Sequence, residues 1–355
     1  MPLDLYFYGP GYGESTILHW HGDGAEGCAV VDAFLPRGGD GWTLSKLREL
    51  GVPKIDFLAA THPHLDHTKF IHYVVAEYHS RLDAVWWWGG WDRELYIKYF
   101  QTLAREDPQP DQRDRERSVN LFLIECNQRQ DLGQLRLFKT SCDVREILTQ
   151  SAGGSPLVEV FAISPWADPL AAFTKELANA HAARRDLGTG LNRASLGFMV
   201  NYGQAQIILG GDMEAGNWQH LRSNWNRVSG EWAEEGRYLP EIRPTLVKVS
   251  HHGSPTGCVP DMWGKDGFLV PRGRPPWAVI TPWDRAPHGR RLPNEGVIET
   301  IRRSGVRVLV TAPIRKTAGV RRSASEFPHL HIRVQPNGDM QIIERGESED
   351  MPPLT

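Results

Sequence analysis

The sequence has little cysteine, no long apolar run and almost no net charge. Four cysteines occur among 355 residues and none form a CxxC pair, so neither a secreted disulfide framework nor a Cys-type zinc site fits. No stretch has the roughly 18 uninterrupted apolar residues that a membrane span needs. The formal net charge of -3 argues neither for nor against a nucleic-acid partner. We therefore expect a soluble, cytoplasmic protein with no membrane contact.

The composition is typical of a loop-rich globular protein, but its charge is unevenly distributed. Hydrophobic residues make up 40% and charged residues 23% of the chain, with 35 glycines and 25 prolines spread along it. Between Lys265 and Arg322, thirteen Lys or Arg residues stand against four Asp or Glu residues. This basic stretch could line a groove that follows phosphates, or it could be a solvated face with acidic partners elsewhere.

Strand and helix patterns alternate along most of the chain, with two interruptions. We expect one domain over residues 1–345, with insertions at about 92–156 and about 216–243. The first insertion contains the run PQPDQRDRERS, which is too polar to pack and predicts a mobile surface loop. In the second, Trp218, Trp225 and Trp232 are spaced as one face of an amphipathic helix. Residues 346–355 are expected to form a flexible tail.

The most informative string is Thr61-His62-Pro63-His64-Leu65-Asp66-His67, which directly follows an apolar strand pattern. It places three imidazoles and one carboxylate within six positions. Neutral imidazole nitrogens and carboxylate oxygens bind borderline divalent ions, and no thiolate lies nearby, so the set suits Zn, Mn or Fe. The alternative is a cluster of solvated loop histidines, which is less favoured because four ligand types in six positions rarely occur by chance.

Two later strings supply further ligand types. Asp212 lies in Gly-Gly-Asp-Met-Glu after one strand pattern, and His251 and His252 lie in Ser-His-His-Gly-Ser after another. Each string alone is a weak signal, since an Asp at a strand end often forms a turn. Together the three strings repeat one arrangement, with ligands at the ends of successive strands. A rigid sheet could hold two ions about 3.5–4 Å apart in this way.

With these strings the sequence resembles the metallo-β-lactamase superfamily, and it is most similar to the hydrolase domain at the end of ComEC-type DNA-uptake channels. The resemblance covers most of the chain. Besides the three ligand strings, it includes Gly11-Tyr12-Gly13-Glu14-Ser15, Val30-Val31-Asp32, Asn192-Arg193-Ala194-Ser195-Leu196 and His288 ahead of the last helix. It implies an α/β fold, a four-layer αββα sandwich in which two mixed β-sheets face each other, helices cover the outside and metals lie at one edge.

Carried over residue by residue, the resemblance implies two divalent ions, Zn or Mn. The implied ligands are His62 and His64 for the first ion, Asp66 and His67 for the second, Asp212 as a bridge, and His251 to complete the second site. Asp32 would orient a ligand loop from behind. His67 favours the two-metal hydrolases over the secreted lactamases, which characteristically replace that histidine.

One position departs from the superfamily pattern. A third histidine for the first ion normally precedes the strand that leads to Asp212, and here Asn192 or Ser195 lies at the expected place. The first site would then be weaker or completed by water, so one tightly bound ion is an alternative to two. Asn192, Ser195 and Lys248 are candidates for substrate contact, although Lys248 could equally point to solvent.

The ligand set predicts hydrolysis by a metal-bound hydroxide. A divalent ion lowers the pKa of bound water from 15.7 to roughly 7 and neutralises the oxyanion that forms. Asp66 would serve catalysis as well as metal binding. The leaving group could take its proton from Glu214, His252 or His288, which the sequence does not rank.

These observations favour a metal-dependent phosphodiesterase, in particular a nuclease acting on DNA, with nucleic acid as its partner. The fold and ligands alone do not choose the bond that is cleaved, so a small ester, thioester, lactone or cyclic nucleotide is the first alternative substrate. The second alternative is a non-catalytic partner subunit, suggested by the incomplete first site. The insertions could then contact another protein or a second copy in a homo-oligomer.

Overall fold

The computed structural model of the chain describes residues 2–10, 13–22, 25–35, 41–88, 93–106, 110–139, 144–152, 155–264, 267–271, 274–283, 291–312, 329–346 and 348–354. Its strands are β1 (Leu3–Tyr8), β2 (Ser15–Gly22), β3 (Ala25–Val31), β4 (Ile55–Ala60), β5 (Leu82–Trp87), β6 (Arg136–Lys139), β7 (Arg145–Ala152), β8 (Ser155–Ser164), β9 (Gly197–Tyr202), β10 (Ala205–Leu209), β11 (Leu246–Lys248), β12 (Trp277–Ile280), β13 (Arg307–Val310), β14 (His329–Val334), β15 (Met340–Arg345) and β16 (Glu349–Met351). Its α-helices are α1 (Trp42–Glu49), α2 (Leu65–Thr68), α3 (Ile71–Tyr78), α4 (Arg93–Glu106), α5 (Pro110–Asp131), α6 (Ala167–Ala182), α7 (Ala215–Glu234), α8 (Pro260–Trp263) and α9 (Glu295–Arg303). Short 3-10 segments cover His79–Arg81, Gly188–Ala194 and His251–Gly253.

The described strands form two mixed sheets of eight. Sheet 1 has the order β15-β14-β1-β2-β3-β4-β5-β6, and sheet 2 has the order β16-β13-β12-β11-β10-β9-β8-β7. In sheet 1 the run from β3 to β6 is parallel, and in sheet 2 the run from β10 to β13 is parallel. Because parallel strands end at the same edge, the loops after β3 and β4 meet at one edge of sheet 1. The loops after β10 and β11 likewise meet at one edge of sheet 2.

Buried apolar side chains form three layers, one between the two sheets and one between each sheet and the helices outside it. In β4, Phe57 packs toward the other sheet, whereas Leu58 packs toward the helices on the outside of sheet 1. In β10, Ile207 faces sheet 1 and Ile208 faces the helices outside sheet 2. This alternation follows from the two-residue period of a strand that is buried on both faces. The order helix, sheet, sheet, helix is the predicted four-layer αββα sandwich, and that prediction is confirmed.

Helix α7 forms as its tryptophan spacing predicts. Trp218, Trp225 and Trp232 are all buried, in the layer between sheet 2 and the outer helices. Glu214 begins the helix with a capping box, in which Asn217 Oδ1 accepts from the Glu214 amide at 3.2 Å.

The polar run PQPDQRDRERS is not a loop where the structure describes it. Residues 110–118 form the first half of α5, a helix of 22 residues. Arg, Gln and Glu are good helix formers, and the apolar side chains that follow them anchor the helix. Val119, Phe122 and Leu123 are 0% exposed and pack in the outer layer of sheet 1. Some polar side chains of the run meet solvent, whereas Arg115 points to Asp186 at 3.4 Å.

The end of the chain also differs from the expected tail. Residues 349–351 form strand β16, which pairs antiparallel with β13 at the edge of sheet 2. Asp350 fastens this strand through hydrogen bonds from Arg307 Nε at 2.9 Å and Arg345 Nη2 at 2.7 Å. An edge strand that is paired in this way also protects the parallel sheet from further association.

Candidate metal centre

The predicted ligand strings meet where the ends of β4, β10 and β11 converge. The loop after β4 carries His62, and one turn of helix, α2, follows it with Asp66 and His67. The backbone NH of Leu196 donates to the Thr61 carbonyl at 2.9 Å, which ties this loop of sheet 1 to sheet 2. The two sheets therefore present their ligand loops to one another across a single edge.

His62 and His64 turn lone pairs toward the same point. The hydroxyl of Thr61 donates to Asp32 and lies 3.0 Å from His62 Nδ1, so this Nδ1 carries the proton that Thr61 accepts. The carbonyl of Gly188 lies 3.0 Å from His64 Nε2, so that nitrogen is the donor. His62 Nε2 and His64 Nδ1 are then both unprotonated and only 2.9 Å apart. Two facing lone pairs at this distance call for a cation between them.

His67 is oriented by a buried carboxylate. Its Nδ1 donates to Asp32 Oδ2 at 2.7 Å, and Asp32 also accepts from the Thr61 backbone NH at 2.8 Å. This contact fixes the tautomer, so that Nε2 faces into the centre. Nε2 then lies 3.4 Å from Asp212 Oδ1 and 3.6 Å from Asp66 Oδ2. Asp32 therefore lies on the far side of His67 from the centre, and its role in orienting the ligand loop stays a prediction.

Asp212 lies between the imidazoles of the β4 loop. Its Oδ2 is 3.5 Å from His62 Nε2, whereas its Oδ1 is 3.4 Å from His67 Nε2. The preceding Gly211 has a φ of +51°, and a Cβ there would lie 2.6 Å from the Leu196 carbonyl oxygen. Only glycine permits this close approach. The Asp212 amide then donates to Ser195 Oγ at 2.9 Å, so the hydroxyl of Ser195 holds the Asp212 backbone.

The two adjacent histidines after β11 diverge to different sides of Asp212. His252 Nδ1 donates to the Thr281 carbonyl at 2.9 Å, which turns Nε2 to within 3.2 Å of Asp66 Oδ2. His252 Nε2 lies 3.9 Å from Asp212 Oδ1, whereas His251 Nε2 lies 4.0 Å from Asp212 Oδ2. Both residues have left-handed backbone angles, with φ of +48° and +54°. Such strain in non-glycine residues is typical of functional sites.

Lys248 does not face the position where a substrate would lie. Its side chain is 2% exposed and its ammonium forms an ion pair with Glu14, which is 4% exposed. Glu14 also accepts a hydrogen bond from Thr281 Oγ1, and it lies 3.6 Å from Nδ1 of His67 and 3.5 Å from Nδ1 of His252. The sequence suggested Lys248 as a substrate contact, whereas the structure places it behind the imidazoles.

Two buried triads are consistent with a two-metal site, and they share His67. One consists of His62, His67 and Asp212, and the other of Glu14, His67 and His252. Glu14 approaches the imidazoles from the Nδ1 side, where Asp32 and Thr281 already accept hydrogen bonds. Glu14 therefore supports the histidines from behind, while the Nε2 side faces Asp66 and Asp212.

Buried atoms without partners support a metal at this place. His67 Nε2, Asp212 Oδ1 and Asn192 Oδ1 have no hydrogen-bond partner within the described part of the chain. A buried polar atom that makes no hydrogen bond costs about 1–3 kcal/mol, so three of them in one centre need an explanation. An ion bound by His67 Nε2 and Asp212 Oδ1 accounts for two of them, and a donor set of imidazole and carboxylate suits Zn or Mn.

The electrostatics of the centre also favour a cation. Burial lowers the pKa of His67, but the charges of Asp212, Asp32 and further carboxylates outweigh burial and raise it well above its usual range. Burial raises the pKa of Asp212, but His67 and His252 outweigh burial and lower it. Burial and the neighbouring imidazoles keep the pKa of His62 well below its usual range, so it is neutral, which is the form that binds metal.

The remaining predicted site residues have different environments. Asn192 is 0% exposed, and its Nδ2 lies 3.2 Å from His251 Nε2. Glu214 is half-buried with Oε1 3.9 Å from His251 Nδ1, and burial, together with the charge of Asp212, raises its pKa although Arg193 opposes the shift. His288 lies outside the described residues. Asn192 and Glu214 thus approach His251 from its two ring nitrogens, Asn192 at Nε2 and Glu214 at Nδ1.

The basic stretch is described only in part, and its described arginines bind their own chain. Arg303 forms an ion pair with Glu299, and Arg307 hydrogen-bonds Asp350 at 2.9 Å. Arg302 Nε donates to the Pro352 carbonyl at 2.7 Å. The positive charge of these three residues is therefore used within the fold.

Sequence reasoning missed three contributors to the centre. Glu14 belongs to a segment that resembles the family but has no role assigned by the resemblance. Thr281 follows a strand and belongs to no motif. The Gly188 carbonyl is a backbone group, which every residue has. The isolated acidic residue in Gly-Glu-Ser was the one signal that could have pointed to Glu14. No local pattern marks a carbonyl that accepts from a histidine.

Comparison with protein-family models and with curated proteins gives no match. Among solved structures, a mutant of the CmlA beta-hydroxylase aligns at 15% identity with a TM-score of 0.33, over 71% of this chain and 36% of that one. This chain thus spans about a third of that protein. A candidate metallo-beta-lactamase from Thermotoga maritima aligns at 15% identity with a TM-score of 0.27, over 56% of this chain and 68% of that one. The hydrolase AbOPH in the beta lactamase superfamily aligns at 12% identity with a TM-score of 0.30, over 63% of this chain and 70% of that one.

The fold and the centre define a class of protein. Because the identities and TM-scores are low, the class rests on the strand order and the geometry of the chain itself. Two mixed sheets flanked by helices form an αββα sandwich, and a buried His/Asp/Glu cluster that could hold a metal ion lies at its edge. Imidazole and carboxylate groups gathered in this way are suited to bind a divalent metal ion. None of the described helices is long and apolar enough to cross a membrane.

Proposed function

We propose that this chain is a two-metal phosphodiesterase that hydrolyses nucleic acid, and DNA in particular. The observation that carries the proposal is the position of Asp212, which offers Oδ2 to His62 at 3.5 Å and Oδ1 to His67 at 3.4 Å. A carboxylate with one oxygen on each side is suited to bridge two ions. If His62, His67 and Asp212 held a pair of divalent ions, the site would suit displacement at phosphorus, in which both an attacking and a leaving oxygen need stabilisation.

We assign the ligands from the directions in which their free atoms face. The first position is lined by His62 Nε2, His64 Nδ1, Asp212 Oδ2 and His251 Nε2. The second is lined by Asp66 Oδ2, His67 Nε2, Asp212 Oδ1 and His252 Nε2. His252 therefore takes the role at the second position that the family resemblance gave to His251. His251 becomes the candidate for the place of the absent third histidine.

The chemistry divides between the ions and the chain. Divalent ions at these positions supply an activated water and positive charge against the developing oxyanion. Glu214 is half-buried, with Oε1 3.9 Å from His251 Nδ1, and is the candidate that we retain for protonating a leaving group. His252 has its Nδ1 bonded to the Thr281 carbonyl and its Nε2 directed to the second metal position, so we assign it to metal binding rather than to proton transfer. The buried Asn192 amide beside His251 is the candidate for substrate contact.

Hydrolysis of single-stranded DNA and of bis-p-nitrophenyl phosphate by Mn- or Zn-loaded protein tests the proposal. Loss of an outer partner of a metal ligand already costs about 10–100-fold, so Asp212→Asn should lose at least about 100-fold in activity. Asp261→Asn is the control, because that side chain is 78% exposed and pairs only with Arg222 at the surface in the described structure. Full activity in Asp212→Asn would show that the assigned centre is wrong.

A small ester, thioester, lactone or cyclic nucleotide is the second candidate substrate, and one observation favours it. A groove of about 570 Å³ opens between α6 and α7 beside Glu214 and Arg193. Apart from these two, its lining is neutral or weakly basic and includes Phe173, His220 and Asn224. A compact polar group would suit this groove better than a polyanion, which needs a cationic surface.

Salt dependence and metal content separate the candidates. If the substrate is nucleic acid, DNA should inhibit the cleavage of small esters strongly, and more so at low salt. If DNA has no effect while p-nitrophenyl acetate or a lactone is cleaved, the small substrate is favoured. Fewer than one bound ion per chain, with no activity after reconstitution, would favour a non-catalytic partner subunit.

A further inference from the structure

A short loop after α6 supplies the backbone group that orients His64. The carbonyl of Gly188 lies 3.0 Å from His64 Nε2, and this contact makes Nδ1 the nitrogen that faces His62. Gly188 has a φ of +53°, and no atom lies near enough to touch a Cβ built there. The glycine is therefore required by its backbone conformation and not by close packing. Something else must hold the loop at the distance that His64 needs.

Asp186 holds this loop from within. Its Oδ1 accepts from the Gly188 backbone NH at 2.9 Å, which is the local turn that Asp side chains commonly form. The same oxygen accepts from the Tyr99 hydroxyl at 3.2 Å. Tyr99 in turn accepts from the Leu187 backbone NH at 2.7 Å. One buried hydroxyl thus fastens both a side chain and a backbone NH of the loop.

A second helix reaches the same carboxylate. Arg115 of α5 points Nη1 at Asp186, 3.5 Å from Oδ1 and 3.4 Å from Oδ2. Tyr99 belongs to α4, and its side chain is 0% exposed. Both helices lie in the stretch that the sequence marked as an insertion. Their polar groups converge on a loop next to the metal centre, while their apolar groups cover sheet 1.

We propose that Tyr99, Asp186 and Arg115 form a clamp that positions His64 at the first metal position. The proposal rests on the proposed function, since it requires an ion between His62 and His64. The three clamp residues contact neither substrate nor metal and act through the Gly188 carbonyl. Helices α4 and α5 then belong to the metal centre and are more than a cover for the sheet.

The clamp should affect one position and spare the other. His67 and His252 have outer partners of their own, Asp32 and the Thr281 carbonyl. Loss of an outer partner typically weakens metal binding by about 10–100-fold. Removing the Tyr99 hydroxyl should therefore lower the affinity of the first position for its ion by about 10-fold or more. The affinity of the second position should not change.

Helix α4 offers a matched control. Tyr96 lies one turn before Tyr99 and is 2% exposed, and its hydroxyl has no hydrogen-bond partner among the residues that the structure describes. Tyr96→Phe and Tyr99→Phe thus remove the same atom from the same helix at equal burial. Only the change at position 99 breaks bonds to the loop. Asp186→Asn and Asp186→Ala form a second pair, because asparagine keeps the Oδ1 that Gly188 needs.

The test is a Co²⁺ titration of the metal-free full chain, followed by visible absorption, with melting temperature as the check on folding. We expect two binding steps for wild type and Tyr96→Phe. In Tyr99→Phe and Asp186→Ala, the midpoint of one binding step should move to about 10-fold higher Co²⁺ concentration. The midpoint for Asp186→Asn should lie nearer to that of wild type. In a His64→Ala background, Tyr99→Phe should have no further effect on Co²⁺ affinity.

Two results would overturn the inference in distinguishable ways. Tyr99→Phe binding Co²⁺ like Tyr96→Phe, with two steps intact, would overturn the clamp and leave the metal centre standing. Equal weakening of both steps by Tyr99→Phe would do the same, because the effect would then not pass through His64. A wild-type chain that binds no Co²⁺ would overturn the metal centre and the clamp with it.

Discussion

Replacing Lys248 with methionine tests the buried ion pair behind the metal centre. Lys248 and Glu14 are 2% and 4% exposed, so neither charge is stabilised by water. Methionine keeps the length of the lysine stem without its charge. Glu14 would keep the hydroxyl of Thr281 as a partner but would lose its ammonium partner. The variant therefore leaves a carboxylate buried beside His67 and His252 with no counter-charge from Lys248.

The size of the effect follows from this burial. Removing one partner of a buried ion pair costs about 3–5 kcal/mol, because the other charge remains buried and unpaired. Replacing both partners by neutral groups of similar volume is often nearly neutral. Because the raised pKa of His67 keeps a positive charge 3.6 Å from Glu14, Lys248→Met should lower the free energy of unfolding by about 3 kcal/mol, at the low end of this range. The double variant Glu14→Gln/Lys248→Met should regain most of that loss.

Urea unfolding of the EDTA-treated protein at pH 7 measures these values, with Lys46→Met as the control. Lys46 is also largely buried, at 9% side-chain exposure, but its partner Glu49 is 66% exposed and stays in water when the pair is broken. Breaking that pair should cost no more than about 1 kcal/mol. If Lys248→Met costs no more than Lys46→Met, or if the double variant is less stable than Lys248→Met, the reasoning is refuted.

Three further predictions concern the metals and pH. His252→Ala should remove one bound ion in elemental analysis, because its Nε2 lies 3.2 Å from Asp66, whereas His251→Ala should retain that ion; the reverse result would contradict our assignment. EDTA should lower the melting temperature and added Mn or Zn should restore it, since an ion at 100 times its Kd stabilises by about 2.7 kcal/mol; an unchanged melting temperature would argue against a bound ion. Burial raises the pKa of Asp4, but hydrogen bonds from His331 and Arg333 outweigh burial and lower it. The stability from Asp4 is therefore present above its unfolded pKa of about 3.9 and is lost as pH falls toward the lowered folded value. Arg333→Gln should move the midpoint of acid unfolding to higher pH, and an unchanged midpoint would exclude this contribution.

The location of the centre could be predicted because its residues occur in short strings next to strand patterns. The loops after β4, β10 and β11 were each recognisable from an apolar run followed by ligand types. Parallel strands bring the loops of one sheet to one edge, so the approach of Asp212 to the loop after β11 follows from sheet 2 alone. The meeting of His62 and Asp212 also requires the two sheets to face each other. The binding of an ion there stays a prediction.

The division of labour between neighbouring residues could not be predicted. His251 and His252 are identical in type and adjacent in sequence, yet their imidazoles lie on opposite sides of Asp212. Which side each takes depends on two left-handed backbone angles, which the packing around the loop imposes. The sequence left the direction of Lys248 open as well, because its partner Glu14 lies 234 positions away.

Segments judged by polarity alone were the least predictable. The run before Val119 contains almost no apolar residue, and this polarity by itself predicts a loop. Polarity alone does not distinguish a loop from a helix. Helix α5 packs against the outer layer of sheet 1 through its second half, so its first half can be polar. Residues 349–351 were expected to belong to a flexible tail, and they form a strand because they pair with β13 and Met351 packs against the apolar layer outside sheet 2.

The order of residues along the chain determined the local features of this protein: strand periods, the tryptophan face of α7, and the ligand types at the strand ends. These depend on neighbours within a few positions, so a local pattern suffices to predict them. The tertiary structure alone decided which distant groups meet, such as Glu14 with Lys248 and Tyr99 with the loop that holds His64. Such pairs depend on strand order and register across the whole molecule, and no short stretch of sequence contains that information.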